Sequence, residues 1–188
     1  QGIMQANLVI EDLEQRSAAK FGFSDAEFKN LKAQNRVLRA WFYLRLLDAF
    51  RNVPLAVSYY DTSKNSTGQV EPRKVYDFIE SELKAALPEL TRKTSLGGNQ
   101  AAQGQWTQAS AAALLVRLYL NAKVYIGEDH YTECAQYAQD ILDGKYGSYK
   151  VADRWDAAFD WDNQTSDEVI FAFTGSAGRT HWHYNGDM

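Results

Sequence analysis

The residues best suited to bind a ligand lie near the C-terminal end of the chain. Segment 174–187 places glycines around aromatic and polar side chains. Six of them are candidate ligand contacts: Arg179, His181, Trp182, His183, Tyr184 and Asn185. A sugar presents an apolar C–H face that stacks on a flat ring, and hydroxyls that need planar polar partners. We therefore interpret this segment as a candidate carbohydrate-binding surface. The alternative is that its rings pack against a part of the protein outside this chain.

The same region offers little support for a metal site. His181 and His183 would share one face of an extended segment, but no third ligand accompanies them. The acidic run from Asp160 to Glu168 supplies the oxygen ligands that calcium prefers, yet it lacks the spacing of an EF-hand loop. We expect neither a metal nor a cofactor, and we interpret the acidic run as a solvated loop.

The sequence does not support catalysis. It contains no nucleophile elbow, Walker loop, dinucleotide-binding glycine motif or HExxH motif. No pattern fixes two carboxylates at the separation that a glycosidase requires. Cys134 stands on an apolar stripe, where a cysteine behaves as a small buried hydrophobe. We predict that the protein is not an enzyme.

Composition narrows the class of protein further. The 188 residues are 45% hydrophobic and carry a formal net charge of -4. Without a basic patch, this charge argues against a nucleic-acid partner. No run reaches the roughly 18 apolar residues of a membrane-spanning helix, and a single cysteine excludes an internal disulfide. Because Gln1–Met4 leads into a polar segment with no signal peptide, we expect the chain to be part of something longer.

The elements that must position these residues are helices, because helical periodicity dominates the chain up to residue 144. The predicted helices cover 3–16, 73–90, 107–125 and 131–143, together with a helix that begins at Asp25 and the helical segment 35–51. No glycine or proline separates these last two, and the pattern leaves open whether they form one helix. Ser24 and Thr107 are suited to begin two of the predicted helices as N-caps. Asn52 can take the left-handed conformation past the end of 35–51, and Gly144 suits the end of 131–143. Pro88 should kink or end the helix at 73–90 near its last turn.

Two segments resemble tetratricopeptide hairpins. Residues 107–144 match the spacing of that repeat, and 35–90 are a candidate for an equivalent pair with a long loop. In such repeats each hairpin leaves an apolar face that the next hairpin buries. We expect the alanines of 107–125 to pack against Ala135 and Ala138 of the following helix.

The helical segment 35–51 is apolar on two faces and therefore needs neighbours on both sides. We predict that its Trp41-Phe42-Tyr43 cluster belongs to the core. Three arginines of the same segment should form ion pairs with acidic partners such as Asp48 or Asp77, while their stems cover aromatic rings. These arginines are Arg36, Arg39 and Arg45.

Beyond residue 145 the helical pattern is lost. Aromatic residues are spread among aspartate, glycine and serine without helical spacing. The run 168–173 alternates, which predicts a short β-strand with Val169, Phe171 and Phe173 on one side. The chain thus divides into a helical scaffold at 1–144 and a loop-rich part at 145–188.

Four blocks of this sequence resemble the SusD/RagB family of outer-membrane nutrient-binding lipoproteins. The main block is a helix and turn matched by Leu38, Arg39, Ala40, Tyr43, Leu47, Phe50, Val53, Pro54 and Leu55. The other blocks begin at Arg73, Ala112 and Glu168 and follow in the family's order. Arg51-Asn52 replaces the family's usual glycine at the turn, and the segment before Ala112 lacks the frequent G-R-A-T-K.

The resemblance implies an all-α scaffold of tetratricopeptide-like hairpins, followed by a loop-rich part with a short strand. It also implies a lipoprotein on the extracellular face of the outer membrane, held by a lipid anchor outside this chain. Such proteins capture oligosaccharides or peptides and deliver them to a SusC-like TonB-dependent transporter. Two alternatives stay open: a tetratricopeptide scaffold that binds a protein and no sugar, and a fragment of an α-helical glycosidase.

Overall fold

The computed structural model describes residues 1–97 and 104–175, and this part of the chain is mostly helical. Its α-helices are α1 (Gly2–Glu14), α2 (Asp25–Phe50), α3 (Pro72–Ala86), α4 (Gln108–Leu120), α5 (Ala122–Ile126) and α6 (Tyr131–Leu142). Short 3-10 helices lie at Ala18–Phe21, Thr62–Lys64, Leu87–Glu89, Ala157–Phe159 and Asn163–Thr165. Strands β1 (Val53–Pro54) and β2 (Gln69–Val70) pair antiparallel inside the loop that joins α2 to α3. The all-α prediction is confirmed.

Helix α2 begins with the predicted N-cap and runs without a break. The Ser24 hydroxyl accepts the Glu27 backbone N–H at 3.3 Å, while the Glu27 carboxylate accepts the Ser24 N–H at 2.8 Å. Together these bonds form a capping box. No glycine or proline follows before Phe50, so the helix continues from there through the two-faced segment.

The end of α2 differs from the prediction, because Arg51 and not Asn52 takes a positive φ, at 62°. A non-glycine residue in this region is strained unless its surroundings compensate. Arg51 donates from Nη1 to the backbone oxygen of Leu47 at 2.8 Å, and its guanidinium lies 5.0 Å from the centre of the Tyr125 ring. These contacts stabilise the turn that leads into β1.

Helix α3 packs along α2 and confirms the pairing expected within 35–90. Its buried stripe consists of Val75, Ile79 and Leu83, one helical turn apart. The helix ends at Ala86, and Pro88 lies in the 3-10 turn that follows, as predicted.

A buried ion pair joins these two helices to α1 and to the loop after β1. Arg39 donates from Nε to Glu82 at 3.0 Å and from Nη1 to the Asn7 amide oxygen at 2.8 Å. Arg36 donates from Nη2 to the same Glu82 carboxylate at 2.7 Å. The Asn7 amide in turn donates to the backbone oxygen of Ala56 at 3.1 Å. One network therefore connects three helices and a loop.

The ion pairs of α2 were predicted, but their acidic partners were not. Asp48 lies 3.7 Å from Arg117, and Asp77 lies 3.9 Å from Arg73. Arg45 is exposed. Helical periodicity shows which side chains share a face of one helix, but not which residue of another helix lies opposite.

The helix predicted over 107–125 is divided in two. Thr107 is its N-cap as expected, since its hydroxyl accepts the Ser110 N–H at 3.4 Å. Asn121 interrupts the helix, and its amide donates to the backbone oxygen of Arg117 at 2.9 Å. Such local bonds compete with the helical ladder, and α5 begins at the next residue.

The interface between α4 and α6 uses other residues of α6 than predicted. The alanines Ala109, Ala111 and Ala112 of α4 are fully buried, as expected. On α6, however, the bulkier stripe of Cys134, Tyr137 and Ile141 packs against this part of the core. Ala135 is exposed and Ala138 only half-buried. The larger side chains cover more apolar surface, so they set the rotation of α6 about its axis.

This interface predicts opposite outcomes for two identical substitutions. Ala112→Phe should lower the free energy of unfolding by about 1–3 kcal/mol, because it forces a ring into a closed interface. Ala135→Phe places the same ring on the surface and should change that free energy by less than about 0.5 kcal/mol. Urea titration of both variants is the measurement, and equal losses would show that α6 turns Ala135 toward α4.

Candidate functional site

The six candidate ligand residues of the tail lie outside the described residues. These are Arg179, His181, Trp182, His183, Tyr184 and Asn185. The described chain ends at residue 175, directly after the run 168–173. The structure therefore shows how the segment preceding the tail is held on the scaffold.

Four aromatic rings, which we call the ring wall, hold that preceding segment. Phe171 stacks face to face on Trp106, with ring centres 3.8 Å apart and planes 10° apart. Phe173 meets Trp41 edge-on at 5.2 Å and Phe171 at 5.0 Å. The strand predicted at 168–173 is wrong: within the described chain no strand pairs with this run. Phe171 and Phe173 of this run pack their rings against Trp106 and Trp41, and its backbone forms no hydrogen-bonded ladder with another described strand.

The ring wall borders a cleft of about 350 Å³. Trp41 and Trp106 line it, together with Glu168, whose side chain is exposed. Trp41 was predicted to be core, but it is only half-buried, whereas its neighbour Tyr43 is fully buried. An aromatic ring that is partly exposed beside polar groups can stack on an apolar ligand face.

A lysine–aspartate pair provides a second tie to the scaffold. Lys93, which is largely buried, donates to Asp167, and the Gly97 N–H reaches the same carboxylate at 2.8 Å. The Ser148 N–H donates to the Lys93 backbone oxygen at 2.8 Å. The acidic run 160–168 thus contributes an ion pair to the fold. Among the described residues, no group of three or more His, Cys, Asp or Glu side chains is arranged to hold a metal.

The loop between α6 and the run 168–173 also carries three rings that the sequence analysis did not select. Trp155, Phe159 and Trp161 are 88%, 81% and 91% exposed. Arg154, which directly precedes Trp155, hydrogen-bonds Asp156 through its guanidinium and holds the pKa of that carboxyl below its usual value. Their only signal in the sequence is the lack of helical spacing, which shows that no helix face buries them.

The thiol and the imidazole near α6 serve structural roles. Cys134 is half-buried against the core, and its Sγ approaches the Val116 backbone oxygen at 3.5 Å. His130 lies between the rings of Tyr76 and Tyr119, and its Nδ1 is 3.2 Å from Glu133. Among the described side chains, the Cys134 thiol and the His130 imidazole form no hydrogen bond with each other.

The paired helices and the ring-lined end that follows them define the described chain as an all-α scaffold with little sheet. A family model, SusD-like, described as starch-binding and associating with the outer membrane, matches residues 1–120. The chain belongs to this SusD-like family. The starch-binding protein SusD of Bacteroides thetaiotaomicron is 27% identical over 168 residues, which are 89% of this chain and 27% of SusD.

Solved structures agree with this assignment. A laminarin-binding SusD-like protein superimposes with a TM-score of 0.73 at 27% identity, over 90% of this chain and 34% of that protein. A SusD-like protein from Bacteroides fragilis gives a TM-score of 0.75 at 19% identity, over 94% of this chain and 32% of that protein, which shows the shared fold. The chain spans about a third or less of the length of these relatives.

The ring wall leads to a prediction with a matched control. Trp106→Ala should lower the free energy of unfolding by about 3–5 kcal/mol, because it leaves a cavity beneath Phe171. Trp155→Ala removes an exposed ring of the same kind and should change that free energy by less than about 0.5 kcal/mol. Denaturation followed by far-ultraviolet circular dichroism measures both. Similar small losses would show that the ring wall does not anchor the run 168–173.

Proposed function

We propose that this chain is part of a non-catalytic protein that binds glycans or other nutrients at the bacterial cell surface. The protein would deliver them to a SusC-like TonB-dependent transporter. The observation that carries the proposal is the family match over residues 1–120, whose description joins starch binding with the outer membrane. The laminarin binding in the name of one structural relative supports the same ligand class.

The geometry of the described residues is compatible with this role. Sugar binding needs exposed rings beside polar groups on a rigid support. The cleft at the ring wall offers the half-buried Trp41 ring on helix α2, with the exposed Glu168 beside it. Segment 174–187, which carries the six candidate residues, begins directly after Phe173, and Phe173 packs against Trp41 and Phe171. We propose them as ligand contacts on this basis.

We also propose that a lipid anchor outside this chain holds the protein on the extracellular face of the outer membrane. The family description supports association with that membrane. Within the described residues, no helix combines the length and the apolar character needed to span a bilayer. The partners that we propose are an oligosaccharide or a peptide as the ligand, and the transporter.

One observation favours the alternative, a tetratricopeptide-type scaffold that binds a protein and no sugar. The outer face of α6 exposes Tyr131 and Leu142, with the exposed Ala135 between them on the same stripe. In helical-repeat proteins such a face is covered by another helix. A protein ligand would use this stripe, whereas a glycan would use rings flanked by polar groups.

Calorimetric titration of the chain with starch- and laminarin-derived oligosaccharides tests the proposal. Trp182→Ala should weaken glycan binding by about 1 kcal/mol or more, a several-fold rise in Kd, because the stacking ring is lost. Trp182→Phe keeps a flat ring and should retain most of the affinity. Unfolding midpoints of both variants should stay close to that of the parent chain.

Three results would contradict this account in different ways. Unchanged affinity in Trp182→Ala would favour the alternative that the rings of segment 174–187 pack against a part of the protein outside this chain. Release of reducing ends from the oligosaccharides would identify a glycosidase. Failure of the chain to bind any glycan, together with binding of a helical peptide along α6, would establish the protein-binding scaffold.

A further inference from the structure

A polar cleft of about 420 Å³ lies between the last turns of α1 and the loop that follows β1. We call it the Tyr60 cleft, after its aromatic residue. Its lining includes Glu11, Glu14, Gln15, Ser58, Tyr60 and Lys64. Its volume lies within the range of about 300–1,000 Å³ that is typical of small-ligand sites. No residue of the ring wall lines it.

The ring of Tyr60 is exposed but fixed at both ends. Its backbone N–H donates to Glu11 at 3.0 Å, and its hydroxyl donates to Asp12 at 2.9 Å. The ring of Tyr59 meets it edge-on at 5.2 Å. Even so, 58% of Tyr60 remains accessible. A ring held in one orientation before a ligand arrives loses little conformational entropy on stacking, so it is a pre-organised platform.

The loop beneath that ring is anchored as firmly. The Glu11 carboxylate also accepts the Tyr59 N–H at 2.9 Å. Partial desolvation opposes ionisation of Glu11, but hydrogen bonds from Ser58 and from the two tyrosine amides hold the pKa of its carboxyl below the usual value. The Glu11 carboxylate that holds this loop is therefore charged at neutral pH. Below the loop, Arg39 donates to the Val57 backbone oxygen at 3.4 Å.

Two polar side chains beside the ring remain available to a ligand. Glu14 and Gln15 are exposed on the last turn of α1, and their side chains make no hydrogen bond to other described residues. A carboxylate and an amide can together accept from and donate to neighbouring sugar hydroxyls.

The charges around the cleft select between kinds of glycan. Glu11, Glu14 and Asp61 line it against Arg39 and Lys64, so carboxylates are in excess. The Arg39 guanidinium is already committed to the buried network. An acidic sugar would meet like charges here, which costs free energy and acts against its binding. A neutral sugar meets no such penalty.

We infer that the Tyr60 cleft is a binding subsite for a neutral sugar. A pyranose ring stacks on Tyr60, and its hydroxyls bond to Gln15 and Glu14. This inference rests on the proposed glycan-binding function, and it adds to that function a site built from α1 and the loop after β1. It also assigns a preference for uncharged over acidic oligosaccharides.

Calorimetric titration of the whole chain tests the subsite, with maltoheptaose as the neutral probe and an oligogalacturonate as the acidic one. Tyr60→Ala should raise the Kd for maltoheptaose about threefold or more, because the stacking surface is lost. Tyr60→Phe keeps the ring and should remain within about twofold of the parent chain. Gln15→Ala, an exposed change that leaves the fold intact, should weaken binding as well. Tyr131→Ala removes an exposed tyrosine on α6 and should have no effect.

The outcomes separate the subsite from the general function. If the chain binds maltoheptaose but Tyr60→Ala and Gln15→Ala bind equally well, the subsite is wrong and the function stands. Tighter binding of the oligogalacturonate than of maltoheptaose would overturn the preference for neutral sugars. If the parent chain binds no oligosaccharide at all, the proposed function fails together with the subsite.

Discussion

One buried guanidinium determines how the first half of this protein is assembled. Arg39 on α2 donates to Glu82 on α3 and to Asn7 on α1, and Asn7 in turn binds the loop at Ala56. Taking a charge out of water costs several kcal/mol unless its donors find partners. The three helices and the loop must therefore adopt an arrangement that satisfies it. The exposed residues of that loop, Tyr60 among them, take their positions from this requirement.

The described segment beyond α6 is held by a different kind of contact. Between α6 and residue 175 the chain has little regular structure, so backbone ladders do not fix it. It is fixed by the rings of Phe171 and Phe173 on Trp106 and Trp41, and by the pairing of Lys93 with Asp167. Both contacts lie just before the segment that carries the candidate ligand residues.

Local features of the fold were predictable from the sequence, and non-local ones were not. Ser24 and Thr107 cap helices because capping depends on neighbours within one turn. The partner of Arg39 and the exposure of Ala135 depend on how two helices meet, which periodicity does not encode. The strand at 168–173 was predicted from alternation and from the resemblance of its first residues to a family block, and neither shows whether another strand lies alongside. The Tyr60 cleft was not predicted because it brings together residues nearly 50 positions apart. The hydrogen bond from the Tyr60 N–H to the Glu11 carboxylate is an example.

The central claim is that the buried network of Arg39 fixes the scaffold on which the proposed ligand surfaces are built. The most direct measurement is the free energy of unfolding of Glu82→Gln compared with Glu89→Gln, an exposed carboxylate 3.9 Å from Lys29. Neutralising Glu82 leaves Arg39 buried without its counter-charge and should cost about 3–5 kcal/mol. Neutralising Glu89 should cost about 1 kcal/mol or less. Equal and small losses in both variants would contradict the claim.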